Sequence, residues 1–503
     1  MNRLVSFVLL ALAFVACGDD DSNTVPTDIL PASTYQNRCE MPRSGKDANN
    51  DAFPDKGGSL LTEQLFLRSW IDDTYLWYAE VPRADPKMFT TALDYFNILR
   101  TGVQTDSGKD KDHFHFTYPT EEWVALSQSG VEASYGLTWS LLASRPPRKI
   151  VVAYVQAGSP ADLAGITRGT EGVSVDGERV ADGDPDKLNA GLFPSAPDVT
   201  HTLVVLDRGS TTPHTLTLKS SSLASTPVTA KLLPAPYNKV GYMQFNDHIQ
   251  TAEKGLVDAI TAFQAAGVTD VVIDLRYNGG GYLAIAGELA YMVAGPAAVA
   301  GKTFDKIQFN NKHPTTDPIT GQALTPEGFI DKAQGFSVPM GTALPHLDLT
   351  RVFVLTGPGT CSASEAVMNG LAGIDVQVLQ FGETTCGKPY GFYPQDNCGT
   401  TYFAIQFQGV NAKGFGDYAD GLTPGKQSPV GCVIADDFTH ELGDPAEARL
   451  AAALRFLTDP TTTCATGVAR SNNPLAAVDG MVIKPMWLQN AIMRQPTRQP
   501  SQQ

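Results

Sequence analysis

Residues 357–366 read Gly-Pro-Gly-Thr-Cys-Ser-Ala-Ser-Glu-Ala, directly after the apolar run Val352-Phe353-Val354-Leu355. A short apolar run bounded by turn formers reads as a buried strand, and Ser362 to Leu371 reads as a helix. The segment is therefore a strand-to-helix turn with Ser362 at the bend. A serine there exposes its hydroxyl, and the unpaired N–H groups of the first helical turn lie nearby, placed to stabilise an oxyanion. Taken alone, the serine is explained more simply as a helix N-cap.

The same alternation continues on both sides. Val240 to Phe245 and Val271 to Leu275 read as strands, as does Val376 to Phe381. Thr251 to Ala266 has Leu256, Ile260 and Phe263 on one helical face and Gly267 as its stop. Strands alternating with helices predict an α/β fold with parallel crossovers. Two of these strands also run into loops that carry chemistry. Gly382-Glu383-Thr384-Thr385-Cys386-Gly387-Lys388 follows one. A lysine there reaches the sheet edge where Ser362 sits; desolvated, it serves as a general base, and solvated it is an ordinary surface lysine. Asp274-Leu275-Arg276-Tyr277-Asn278-Gly279-Gly280-Gly281 follows the other, and its glycines let backbone N–H groups approach a ligand or simply form a flexible turn. No G-x-S-x-G elbow is present, which argues against an α/β-hydrolase.

Together these motifs resemble the carboxy-terminal processing (tail-specific) proteases, PDZ-containing Ser–Lys serine peptidases. The carrying stretches are Ser362-Ala-Ser-Glu365, Gly382-Glu-x-Thr-x-Gly-Lys388 and Asp274-Leu-Arg-x-Asn-x-Gly-Gly281. Tyr75-Leu-Trp-Tyr78 and Asp417-Tyr-Ala-Asp-Gly-Leu-Thr-Pro424 extend the match from Leu65 to about Pro424. The resemblance implies a ClpP/crotonase-like α/β core, a PDZ-like β-rich domain and a small N-terminal helical domain. It implies Ser362 as nucleophile, Lys388 as base, Ala363 and Gly280 as oxyanion donors, and no cofactor. Tyr135-Gly136-Leu137 resembles the loop that holds a peptide C-terminus, supported by Ser159-Pro160-Ala161 through Gly165 and Val173 to Gly177. The competing reading of that region is a β-domain that only packs on the core.

The sequence also departs from the family. Where many members carry a glutamine after the lysine, this chain has Phe392, and Pro389 follows Lys388 directly. Cys361 and Cys386 flank the two candidates. Bonded to each other or to neighbours, they would replace the missing polar support by rigid positioning.

The remainder sets the context. Arg3 and the apolar run Leu4 to Ala16 read as a signal peptide, too short for the roughly 20 residues of a bilayer span. Phe14-Val-Ala-Cys17 resembles a lipobox, making Cys17 a lipidation site and the chain a cell-envelope lipoprotein facing the periplasm or cell surface. The expected divisions are a signal peptide (1–17), a flexible tether (18–58), a helical domain (59–128) and a PDZ-like domain (129–228). A protease core (229–462) with an insertion at about 300–348 and a partly disordered extension (463–503) complete them. Seven cysteines less Cys17 leave six for disulfides in an oxidising compartment. Sequence leaves their pairing open; Cys386–Cys398, close in sequence, is the first expectation. Scattered histidines and no CxxC give no metal site. With 53 acidic against 37 basic residues, nucleic acid is not an expected partner. Polypeptides, through free C-termini, and a membrane are. The alternative function is a catalytically inactive peptide- or ligand-binding envelope lipoprotein; a crotonase-type acyl-CoA enzyme conflicts with export.

Overall fold

The structure is a computed structural model that describes residues 28–47, 50–427, 430–462, 464 and 492–493. The signal peptide and Cys17 lie outside the described residues, as does most of the extension from 463.

A six-stranded sheet organises the centre of the chain. Its strands are β1 (Val228–Leu232), β2 (Val240–Phe245), β3 (Asp270–Asp274), β4 (Arg351–Thr356), β5 (Gln377–Gly382) and β6 (Gly431–Val433). Their spatial order equals their chain order; β1 pairs antiparallel with β2 and every other pairing is parallel. Helix α1 (Ala252–Ala266) connects β2 to β3, α2 (Leu283–Val299) follows β3, α3 (Ala363–Gly373) connects β4 to β5, and α4 (Ala448–Thr458) follows β6. Helix α1 ends where expected, with Gly267 left-handed at φ 61°.

Strand alternation builds two layers. Val352 and Val354 point with Val271 and Ile273 to the face covered by α1, α2 and α3, where Leu256, Ile260, Leu289 and Leu371 are buried. Phe353 and Leu355 point with Val272 and Leu379 to the opposite face, covered by Leu450 and Leu454 of α4. A sheet covered on both faces needs continuous apolar strands, which is why these runs show no polar alternation. Three consecutive parallel strands, β3, β4 and β5, therefore end side by side, and the loops 275–281, 357–362 and 383–388 leave from one edge.

The β-rich domain has its own core of Tyr135, Trp139, Ile150, Val152, Leu188, Leu203 and Val205 among others. Its principal strands run in the order 214–219, 200–206, 171–175, 149–155, 137–143. Ser159 caps the helix Pro160–Leu163 by accepting from Asp162 N, as its position before a proline predicts. The N-terminal helix Leu60–Thr74 starts at a Ser59/Thr62 capping box. Its Leu65, Trp70 and Ile71 belong to the same hydrophobic cluster as the α1–α3 layer, so the helical segment shares a core with the α/β centre.

Two expectations are corrected. Residues 28–58 are not all tether. Arg38 and Cys39 pair with Lys56 and Gly57, Cys39 is buried, and a disulfide joins it to Cys398. That bond also overturns the Cys386–Cys398 expectation; the other pairs are Cys361–Cys386 and Cys432–Cys464. Sequence proximity failed because the partner of Cys398 comes from the other end of the chain. Beyond the first helix, the helical segment continues as a 3-10 turn, Pro86–Met88, and a helix, Ala92–Ile98, whose start Thr91 caps on Asp94 N. The 300–348 insertion begins with a regular strand, Thr303–Phe309, paired with Phe407–Val410. Among the described residues no helix is long and apolar enough to cross a membrane.

Candidate active site

The loop after β4 sets Ser362, the candidate nucleophile. Thr360 Oγ1 donates to Leu275 O at 2.8 Å and accepts from Gly357 N at 2.9 Å, pinning the turn to the neighbouring loop. The chain then bends at Ser362, whose φ of 63° is unusual for a residue with a side chain. Such a conformation costs about 1–3 kcal/mol and persists only where surroundings enforce it. Ser362 precedes the first residue of α3, Ala363, whose N–H lies in the helical turn that has no intrahelical acceptor. Ser362 is fully buried, and its Oγ has no hydrogen-bond partner among the described residues.

The enforcement comes from two residues. Asn278 Oδ1 accepts from Gly280 N at 2.9 Å and from His248 Nδ1 at 3.0 Å, while its Nδ2 donates to Phe245 O at 2.9 Å. The Asn278 carbonyl accepts from Cys361 N at 3.0 Å and from Ser364 Oγ at 3.1 Å. The 275–281 loop is thereby tied to the serine turn on both sides of Ser362. Burial pushes the His248 imidazole down to about 3, so it is neutral and its Nδ1–H is the donor.

Glu365 is the second. Its Oε2 accepts from Ser362 N at 2.8 Å and from Lys388 N at 2.9 Å. Its Oε1 accepts from Gly387 N at 2.9 Å and from Thr385 Oγ1 at 2.5 Å. One oxygen atom thus joins the backbones of the two catalytic candidates. Burial pushes the Glu365 carboxyl up, against the hydrogen bonds that pull it down. The Cys361–Cys386 disulfide closes the same junction, and Cys386 N donates to Thr360 O at 2.9 Å.

Lys388 is fully buried, and its Nζ has no hydrogen-bond partner among the described residues. It lies 4.6 Å from the Phe114 ring centroid and 4.4 Å from that of Phe392. Burial holds its ammonium well below the usual lysine range, opposed by the charges of Asp112 and Glu365. A buried lysine depressed in this way is chemically suited to act as a general base.

The expected oxyanion donors separate in their state. Ala363 presents its N–H in the first turn of α3, whereas the Gly280 N–H is engaged by Asn278 Oδ1. Tyr135, Gly136 and Leu137 line a cleft of about 760 Å³ with Leu192 and Phe193 of the β-rich domain and Gln244 and Asn246 of the α/β centre. The Tyr135 side chain is itself buried, its hydroxyl donating to Gly191 O at 3.2 Å.

An ionic network underlies the edge. Arg276 donates to Asp274 at 2.9 Å, Asp436 at 2.7 Å and Glu447 at 2.8 Å. Arg168, from the β-rich domain, donates to Asp436 at 2.6 Å and to Tyr277 Oη at 2.7 Å. Arg449, Arg276 and Arg168 outweigh burial and hold Asp436 far below the usual carboxylate range. Among the described residues, the groupings of metal-ligating types are Cys39/Glu63/Cys398 and Cys361/Glu365/Cys386, and both sulfurs of each are in a disulfide.

The model of peptidase family S41 matches residues 239–392, and that of the S41 N-terminal domain matches residues 63–118. Residues 63–118 and 239–392 are thus similar to the domains of peptidase family S41. The S41 domain spans β2 to Phe392 and so contains all three loops. A carboxyl-terminal-processing protease of Picosynechococcus sp. is 30% identical over 139 residues, 26% of this chain and 32% of that protein. One of Synechocystis sp. is 25% identical over 236 residues, 46% of this chain and 48% of that protein. The chain therefore spans about a third to a half of the length of these curated relatives. A solved structure from Bacteroides fragilis NCTC 9343, titled as an S41 protease, shares the fold with a TM-score of 0.57 and 23% identity, covering 79% of this chain and 98% of that one.

Glu365, Asn278, His248, Asp112 and Phe114 escaped the sequence reading as site residues. A signal existed for Glu365, since Ser-x-x-Glu before an apolar run is a capping-box pattern. Asn278 lay inside a quoted motif; His248, Asp112 and Phe114 had no local signal.

Proposed function

We propose that this chain is a serine-type endopeptidase of the cell envelope that cleaves polypeptides through a Ser362–Lys388 dyad. The observation that carries the reading is Glu365 Oε2, which accepts from the backbones of both residues, beside a lysine whose ammonium is depressed by burial. Neutral Lys388 takes the Ser362 Oγ proton as the oxygen attacks a peptide carbonyl. The resulting ammonium then protonates the leaving amine, and water hydrolyses the acyl-enzyme. The oxyanion is received by Ala363 N–H and by Gly280 N–H once the latter leaves Asn278, each donor being worth on the order of 3 kcal/mol in the transition state. The arrangement supports a closed resting state, with nucleophile and base buried and one donor engaged elsewhere.

Peptide C-termini enter, in this reading, by the cleft beside 135–137, where Gly136 has φ 79° and its N–H donates to Ser134 Oγ at 2.9 Å. A lipid on Cys17 anchors the enzyme to the membrane.

The test is digestion of unfolded casein by residues 18–503, beside Ser362→Ala and Lys388→Ala. Cleavage abolished by both substitutions is the expected result. Intact casein after incubation with the parent chain, even with added peptides bearing free apolar C-termini, would favour the inactive binding protein.

A further inference from the structure

A buried lysine that works as a base needs something to aim its four-carbon side chain. The family resemblance leads one to expect an amide at position 392, able to hydrogen-bond the nitrogen. Here the lysine nitrogen instead meets two aromatic rings, at 4.6 Å and 4.4 Å from their centroids. Both rings are buried, and so are fixed. Phe392 packs edge-on against Phe403 with centroids 5.2 Å apart, and Phe403 stacks on Phe116 at 4.2 Å. Phe114 is held by its own N–H, which donates to Asp112 Oδ1 at 2.9 Å, and Asp112 Oδ2 accepts from Tyr75 Oη at 2.6 Å.

We infer that Phe114 and Phe392 are positioning residues that grip Lys388 with their π faces and take the place of a hydrogen-bonding side chain at position 392. The inference rests on the proposed Ser–Lys chemistry. It also makes the N-terminal segment part of the catalytic apparatus, because Phe114 precedes the S41 domain and is brought to it by the shared core.

The physical argument fixes a sign. A cation on an aromatic face gains about 0.5–2 kcal/mol, and the gain exists only for the charged form. The rings therefore pull the lysine pKa up while burial pushes it down. The other groups facing it are Asp112 and Glu365, which favour the ammonium, and His113, whose own imidazole burial lowers. The phenols Tyr390 and Tyr418, which feel the charges of Asp112 and Glu365 respectively, are pushed up by burial. Replacing a ring by leucine keeps the site dry but removes the π face, so Lys388 should lose its proton at lower pH.

The experiment is the pH dependence of kcat/KM for the parent, Phe114→Leu, Phe392→Leu and Phe392→Gln. In parallel, Lys388 is titrated by carbon-13 NMR of the ε-carbon in Ser362→Ala backgrounds, assigned by its loss in Lys388→Met. Each leucine variant should move the acidic limb and the NMR midpoint down by about half to one pH unit. Phe392→Gln, which restores an oxygen acceptor, should move both above the Phe392→Leu values. If the leucine variants lower the plateau while limb and midpoint stay at the parent values, the rings only fill the core and the inference falls. If the parent cleaves nothing but the NMR midpoint still moves as stated, the grip stands and the peptidase reading fails.

Discussion

Ser362 and Lys388 leave equivalent ends of adjacent parallel strands, β4 and β5, yet their reactive surroundings are built by opposite means. The serine turn is held by hydrogen bonds from short motifs: Asn278, Thr360 and Glu365 all lie inside the stretches that identify the site. The lysine loop has its backbone held the same way, but its nitrogen sits in an apolar aromatic shell. The difference suits the roles proposed for each group. A nucleophile needs exact placement, which directional bonds provide. A base with a lowered pKa needs desolvation, which directional acceptors on the nitrogen would undo by favouring its charged form.

Glu365 belongs to both halves, so its change should have the largest effect. Glu365→Gln keeps the shape but turns one acceptor oxygen into a donor that faces N–H groups. Because a misplacement near 1 Å costs about a hundredfold, and here two reacting groups shift, kcat/KM should fall about a thousandfold or more. Circular dichroism should remain that of a folded chain. A variant within tenfold of the parent would show that the two loops hold their positions without the carboxylate.

The same contrast explains how much could be read in advance. Strand-to-helix turns, the Ser159 cap and the Gly267 stop are local signals, written within a few residues and set by backbone hydrogen bonding. The motif residues Ser362 and Lys388 were placed at one edge because parallel strands end together. What escaped was assembled over distance. Phe114 and Asp112 reach Lys388 through a core that no local periodicity announces, and Cys39 finds Cys398 across 359 residues. The replacement at Phe392 was visible as a departure, but its meaning needed the second ring.

Asn278 sharpens the serine side alone. Asn278→Ala removes the side-chain anchors to His248 and Phe245 and so loosens the loop that carries the Gly280 N–H. If oxyanion support depends on that loop, kcat should drop about a hundredfold. The acidic limb of the pH profile should stay in place, since nothing on the lysine nitrogen has changed. A moved limb would mean that the two halves are electrostatically coupled.

The smallest effect is expected at the link between the halves. Replacing both Cys361 and Cys386 by alanine removes a disulfide closing a loop with a sequence separation of 25, and should cost about 2–4 kcal/mol of stability, read as a lower denaturant midpoint. Activity should nevertheless stay within about tenfold of the parent. The junction is also closed by Cys386 N on Thr360 O, Cys361 N on Asn278 O and the four bonds to Glu365, none of which needs sulfur. A loss of a hundredfold or more in the folded double variant would reverse the assignment, making the covalent bridge rather than the carboxylate the element that holds nucleophile and base in register.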